Sequence, residues 1–304
     1  MPKKPAPGSP IVKRLRALVQ TRPELRHVVA VYEAILPLVG QADLHVAAVP
    51  FTEGQIRSKM EQGLPLLHNE AVALDIAAAR DLLLCLARAV ESVETPAQYR
   101  GPRLPWLRSF NAHTKEARQF RLALEDGRLD VSALLLHIAA GDKETALAAL
   151  RPFGFDVNLA LLLAQNALKP ALRAWCRQVS PVANGISWNK GICFVCGAAA
   201  TLGELQENDQ VKHLRCGSCG ADWTLGRLRC IYCGNDDHKT KHYLYEETLR
   251  DQQLVEVCDQ CKGYLKIIAA FTPTAPELLP VEDLATLHLD YIAQERGYSR
   301  PAMQ

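Results

Sequence analysis

One short spacing recurs four times in this chain: Cys193/Cys196, Cys216/Cys219, Cys230/Cys233 and Cys258/Cys261, all within 69 residues. Two thiolates separated by two residues can be aimed at one ion from a tight turn, and two such turns complete a tetrahedron. A Gly after the second Cys takes the left-handed backbone such a turn often requires. Gly197, Gly220 and Gly234 fill that slot, whereas Lys262-Gly263 shifts it by one. Met1-Pro2-Lys3-Lys4-Pro5 is basic with no apolar run behind it, so no secretory signal is expected. In a reducing compartment the pattern reads as metal ligands before disulfides. A redox dithiol usually comes as a single CxxC near a βαβ pattern, which is missing here. Eight cysteines therefore form two candidate four-sulfur sites.

Sequential pairing joins the first knuckle to the second across 19 residues and the third to the fourth across 24. The intervening stretches look like hairpins, which favours it; an interleaved cross-brace is the alternative. Each sequential unit would be a zinc-ribbon-like or rubredoxin-like module. Tetrahedral sulfur suits both zinc and iron, so the ligands leave the metal open. The other two cysteines, Cys85 among leucines and Cys176 after Trp175, read as buried small hydrophobes.

The rest of the chain divides by composition. From about residue 10 to 182 the pattern is helical. Thr21-Arg22-Pro23-Glu24 has the form of a capping box with Pro in the first turn. Leu25, Val28, Val29, Tyr32, Leu36 and Val39 recur at helical spacing behind it. A second long helix is expected from about 70 to 93, with others near 115–124, 131–140, 143–150 and 159–179. His113 and His137 read as surface or satisfied residues, and Trp106 as a loop anchor, with an exposed recognition patch as the alternative. From 185 to 270 β-prone pieces dominate: Val211–Leu214, Trp223–Leu225, His242–Tyr245, Leu254–Val257 and Tyr264–Ile268. A helix is expected over 281–296. The fold class is α+β: an all-α domain at 1–184, one four-Cys ribbon at 185–224, and a second at 225–304 with a C-terminal helix. Two cores of roughly 40 residues seldom hold without metal or disulfides.

Charge excludes some functions. Lys and Arg number 35 against 33 Asp and Glu, a net of +2. Over 185–270 ten basic residues face eleven acidic ones, a net of −1. A nucleic-acid face normally carries a basic excess, so nucleic acid is not an expected partner. No stretch reaches the ~18 apolar residues of a membrane helix. His27–Gly40 comes nearest but carries Glu33 and Pro37. A soluble, intracellular protein without membrane insertion is expected. No nucleophile–base arrangement or phosphate-binding loop stands out, so no catalytic residue is assigned and the chain is not expected to be an enzyme.

Several ordered pieces resemble one family. They are Cys193-Phe194-Val195-Cys196-Gly197, with Phe194 in place of an expected Pro; Leu214-Arg215-Cys216-Gly217-Ser218-Cys219 followed by Trp223; Arg229-Cys230-Ile231-Tyr232-Cys233; and Cys258-Asp259-Gln260-Cys261-Lys262-Gly263-Tyr264-Leu265-Lys266. With Asp283–Asp290 and Gly297-Tyr298 they resemble the FdhE family of formate dehydrogenase accessory proteins over roughly 190–300. The resemblance implies a cytoplasmic maturation factor that acts on the catalytic subunit of a respiratory, molybdenum-dependent formate dehydrogenase before export. It further implies rubredoxin-like sites with two iron ions held by the eight cysteines, zinc being the other candidate. An iron–thiolate redox role in cofactor activation and a zinc-ribbon nucleic-acid binder are the alternatives. Trp223, Tyr264 and Lys266 are candidate partner contacts, with core packing an equal account of the two aromatics.

Overall fold

The computed structural model describes residues 9–42, 50–68, 75–93, 113–206 and 211–300. Trp106 lies outside them, as does the His113 side chain. Helices come first and strands follow, as the α+β reading expects.

The chain forms two compact units, and their boundary is not at 184/185. One unit is Met1–Ala47 with Val72–Leu172, and the other is Ala48–Ala71 with Arg173–Gln304. Two physical facts move the boundary. The backbone N–H groups of Leu66 and Leu67 donate to the Phe194 and Val195 carbonyls, at 2.8 and 3.0 Å, tying that segment to the first knuckle. The last helix of the helical half, Val157–Ala183, is also divided, its residues from Arg173 onward belonging with the strands.

The first unit contains α1 (Pro10–Thr21), α2 (Arg26–Gln41), α4 (Ile76–Glu91), α5 (His113–Glu125), α6 (Val131–Ala139), α7 (Lys143–Leu150) and the start of α8 (Val157–Ala183). Helix α3 (Glu53–Glu61) belongs to the second unit. Aspartates start three helices: Asp75, Asp130 and Asp142 accept from the amides of Ala78, Ala133 and Thr145. The apolar periodicity of α2 becomes its buried face, with Val28, Val29, Leu36 and Val39 inside. The capping box expected at Thr21 does not form. Thr21 ends α1 and its hydroxyl donates back to Leu18, because Pro23 opens a separate 3-10 turn. The reciprocal box forms at Thr52 and Gln55 instead. Cys85 is half-buried rather than buried.

The second unit carries six strands: β1 (Leu202–Gln206), β2 (Val211–Arg215), β3 (Asp222–Thr224), β4 (Lys241–Leu244), β5 (Gln253–Cys258) and β6 (Tyr264–Ala270). Each ribbon is a three-stranded antiparallel meander. They are not two separate cores. Strands β1 and β6 pair in parallel, with Gly203 opposite Ile267, giving one sheet of order β3-β2-β1-β6-β5-β4. Two small apolar faces that cannot each close a core close one together. On one face β4, β5 and β6 pack Leu244, Val255, Val257 and Tyr264 against Leu289 and Ala293. Those two come from α10 (Leu287–Glu295), which follows α9 (Leu279–Ala285). The single helix expected at 281–296 is broken at Thr286, whose hydroxyl donates to the Glu282 and Asp283 carbonyls.

The sheet also buries charge. Arg215 pairs with Glu204, and the Lys212 ammonium lies 3.1 Å from Glu256 with its side chain fully covered. Lys266 is equally covered and bonds Asp283 and Asp290 at 2.8 and 2.7 Å. This corrects the reading of Lys266 as a partner contact and decides Trp223 and Tyr264 in favour of core packing. All three are interior, and Trp223 Nε1 and the Tyr264 hydroxyl are spent on Lys190 O and Asp290.

Candidate metal centre

The four knuckles share one backbone construction. The amide of the first Cys donates to a carbonyl five residues on, at 2.8–3.0 Å: Cys193 to Ala198, Cys216 to Ala221, Cys230 to Asn235, Cys258 to Gly263. In the first three the carbonyl of that Cys accepts from the Gly four residues on. This fixes the left-handed corner: Gly197, Gly220 and Gly234 have φ of 73°, 80° and 74°. In the fourth knuckle the corner does not shift by one, as the sequence suggests. Lys262 itself takes it at φ 56°. An ordinary residue there is strained, and Lys262 is held by Asp259 at 2.9 Å and by the Tyr298 ring beneath its ammonium. Gly263 is needed for space, since a β-carbon there would press on the Tyr232 ring and Cys261 Sγ.

Pairing is sequential. Cys193, Cys196, Cys216 and Cys219 form one cluster and Cys230, Cys233, Cys258 and Cys261 the other, the sulfurs of each within 4.8 Å of one another. Cys193–Cys219 and Cys196–Cys216 are 3.4 and 3.6 Å apart; Cys230–Cys261 and Cys233–Cys258 are 3.7 and 3.8 Å apart. An ion ~2.3 Å from four tetrahedral sulfurs places neighbouring sulfurs about 3.8 Å apart. All eight are free thiols, so donor type, number and spacing fit a tetrahedral ion at each cluster.

Burial and mutual hydrogen bonding shift the thiols within each cluster in opposite directions. Burial pushes the Cys193 and Cys219 thiols up, while hydrogen bonds from Cys193, Cys196 and Cys219 hold Cys216 well below the usual thiol range. Burial opposes ionisation of Cys258 too, but the Cys261 amide and the Asn235 side chain outweigh it and bring the thiol to about 7. Burial pushes the neighbouring Cys230 and Cys261 thiols up.

The two clusters differ in their surroundings. Around the first, the Gly63–Leu67 segment lies against the first knuckle, with Lys190 Nζ donating to Gly63 O at 2.6 Å. Pro276 packs on Gly220, and its carbonyl accepts from Arg173 at 3.1 Å. Cys176 of α8 is buried, as expected, with its sulfur 3.5 Å from the Ser180 hydroxyl. The charge of Arg173 acts on Cys216 and Cys219. Arg173 carries no sequence signal, since it lies on a helix remote from the knuckles. Around the second cluster Asn235 Nδ2 reaches Cys258 Sγ at 3.7 Å, and Asp259 gathers Lys262, Tyr298 and His242. These partners hold its carboxyl at about 2. His137 lies elsewhere, half-exposed beside Asp142.

The clusters touch through Gly191, whose α-carbon faces the Ile231 backbone of the third knuckle so closely that a β-carbon would overlap its carbonyl. Backbone cannot move aside as a side chain can. Gly191→Ala is expected to destabilise the second unit by about 1–3 kcal/mol through overpacking, read as a lower denaturant midpoint. An unchanged midpoint would mean that the two knuckles are not in this contact.

Residues 228–304 match the family described as FdhE, C-terminal domain. The protein FdhE homolog of Aquifex aeolicus (strain VF5) is 26% identical over 185 residues, covering 58% of this chain and 63% of that one. The FdhE homolog of Stutzerimonas stutzeri (strain A1501) is 34% identical over 114 residues, 36% of each. The matched stretches thus span less than two thirds of these curated relatives. The crystal structure of the FdhE protein from Pseudomonas aeruginosa aligns with a TM-score of 0.54 at 22% identity, covering 95% of this chain and 91% of that one. The likeness to that structure is one of fold. The resemblance to FdhE proteins read from the knuckles is borne out.

Proposed function

We propose that this chain is a non-enzymatic accessory factor of a respiratory, molybdenum-dependent formate dehydrogenase. In this reading it binds the catalytic subunit in the cytoplasm before export, with a metal ion in each four-cysteine cluster. The observation that carries the reading is the likeness to FdhE in both sequence and fold, with the match at 228–304 containing the whole second cluster. The buried charges support a protein partner over a nucleic acid. Lys212, Arg215 and Lys266, three of the basic residues of the strand region, are sealed inside the sheet and paired. Among the described residues no helix is long and apolar enough to cross a membrane.

Iron is the proposed ion, with zinc as the other occupant that four thiolates accept. Iron purified without oxygen would redden on oxidation as thiolate-to-iron charge transfer appears, whereas zinc stays colourless. The test of function is formate-dependent dye reduction in extracts of the source organism with and without the gene. Loss of activity with the catalytic subunit still present is the expected result. Unchanged activity would overturn the proposal.

A further inference from the structure

We propose that the two clusters have divided roles, the second exchanging its ion with outside ligands while the first keeps its ion as long as the unit stays folded. The inference rests on the reading that both clusters hold metal, and it follows from the unequal construction of the two sites.

At the first cluster Cys193 and Cys216 are wholly covered, Cys219 is 2% exposed, and only Cys196 is partly open. Two segments close over it. One is Gly63–Leu67, fastened by the Leu66 and Leu67 amides and by Lys190; the other runs through Thr274 and Pro276, whose carbonyls accept from Arg215 and Arg173. A divalent ion with four thiolates carries a net charge of −2, and burying it calls for compensation. Helix α8 supplies it. Arg173 donates to the Pro276 carbonyl at 3.1 Å beside Gly220, its charge facing Glu277 first and then Cys219 and Cys216, and its Nε is buried without a hydrogen-bond partner among the described residues. For an incoming ligand to reach this ion, the covering segments must open.

At the second cluster Cys233 is exposed and Cys261 partly so. Cys230 and Cys258 are buried, with Asn235 donating to Cys258, but the charged groups beside the cluster, Asp259, Lys262 and His242, are surface residues paired through Asp259 and leave Cys233 uncovered. Exchange there is a plain ligand substitution. A bond forms from an incoming thiolate or chelator to the ion as the ion–Cys233 bond breaks, and the freed thiolate takes a proton from water. No electron moves.

The test uses the full chain loaded with zinc and first counted for metal. The loaded chain is then challenged with excess 4-(2-pyridylazo)resorcinol, and iodoacetamide pulses during release are mapped to peptides. The expected result is two equivalents leaving in two phases separated by about tenfold or more, because the slow phase waits on local opening. Carboxamidomethyl groups should appear on Cys230, Cys233, Cys258 and Cys261 in the fast phase, and on the first-cluster cysteines only in the slow one. Arg173→Met should hasten the slow phase and leave the fast one alone. Both equivalents leaving together, or first-cluster cysteines labelled first, would overturn the division of roles while leaving the metal reading intact. Fewer than two bound equivalents would overturn the metal reading and this inference with it.

Discussion

Cys216→Ser is expected to cost the chain one of its two ions and the order of the whole sheet, not merely of one ribbon. Metal binding contributes roughly 10–16 kcal/mol to folding in comparable peptides, against net domain stabilities of about 5–15 kcal/mol. A site reduced to three sulfurs cannot return most of that. The damage spreads because β1, whose end leads from the first knuckle, is the strand that pairs with β6 of the other ribbon. If β1 loosens, Leu202 leaves its cluster with Ile268 and Leu279, and the parallel edge of β6 is left unpaired. Cys258→Ser should do the same from the other side, because Cys258 ends β5 and faces Lys241 of β4. The measurement is metal stoichiometry combined with limited proteolysis mapped along 185–300. Each variant should hold fewer than two equivalents and be cut within β1–β6 at protease levels the parent resists. A variant with two equivalents and the parent's cleavage pattern would refute the assignment of that cysteine as a ligand.

What the sequence disclosed and what it hid follow from how local each interaction is. A CxxC knuckle is closed by hydrogen bonds no more than five residues apart, so its spacing alone names the ligands and the glycine corners. The helix Lys143–Leu150 and the buried stripe of α2 were legible for the same reason, being set by neighbours one turn away. Strand β1 was not. Leu202-Gly203-Glu204-Leu205-Gln206 has weak strand propensity, and it is extended because β2 and β6 flank it. The burial of Glu204 depends on Arg215 from the next strand. The shared sheet, and with it the true unit boundary, rests on such distant pairs. So does the group that sets the first cluster apart, Arg173, which reaches it from a helix.

The balanced charge of the strand region hid a second nonlocal feature, and it yields the other large expected effect. Lys212 spends its ammonium on the carbonyls of Arg227 and Arg229, each at 3.2 Å, and on Glu256. It thereby holds the link between the second knuckle and the third. Lys212 reaches both oxygens of Glu256 and Lys241 lies 2.8 Å from Oε1, so one carboxylate faces two ammonium groups, and all three side chains are no more than 6% exposed. Removing the carboxylate and removing one ammonium are therefore unequal. Lys212→Met leaves Glu256 paired with Lys241 and deprives two carbonyls of a donor, a loss of about 1–3 kcal/mol. Glu256→Gln leaves two positive charges side by side inside the sheet, with a loss of about 3–5 kcal/mol. Guanidinium titration followed by tryptophan fluorescence reads the second unit well, because Trp175, Trp188 and Trp223 are all buried there. Adding Lys212→Met to Glu256→Gln should recover part of the larger loss, since it removes one of the stranded charges. Equal losses for the two single variants, or a double variant worse than their sum, would mean that water reaches these charges and that the pair does not seal the sheet.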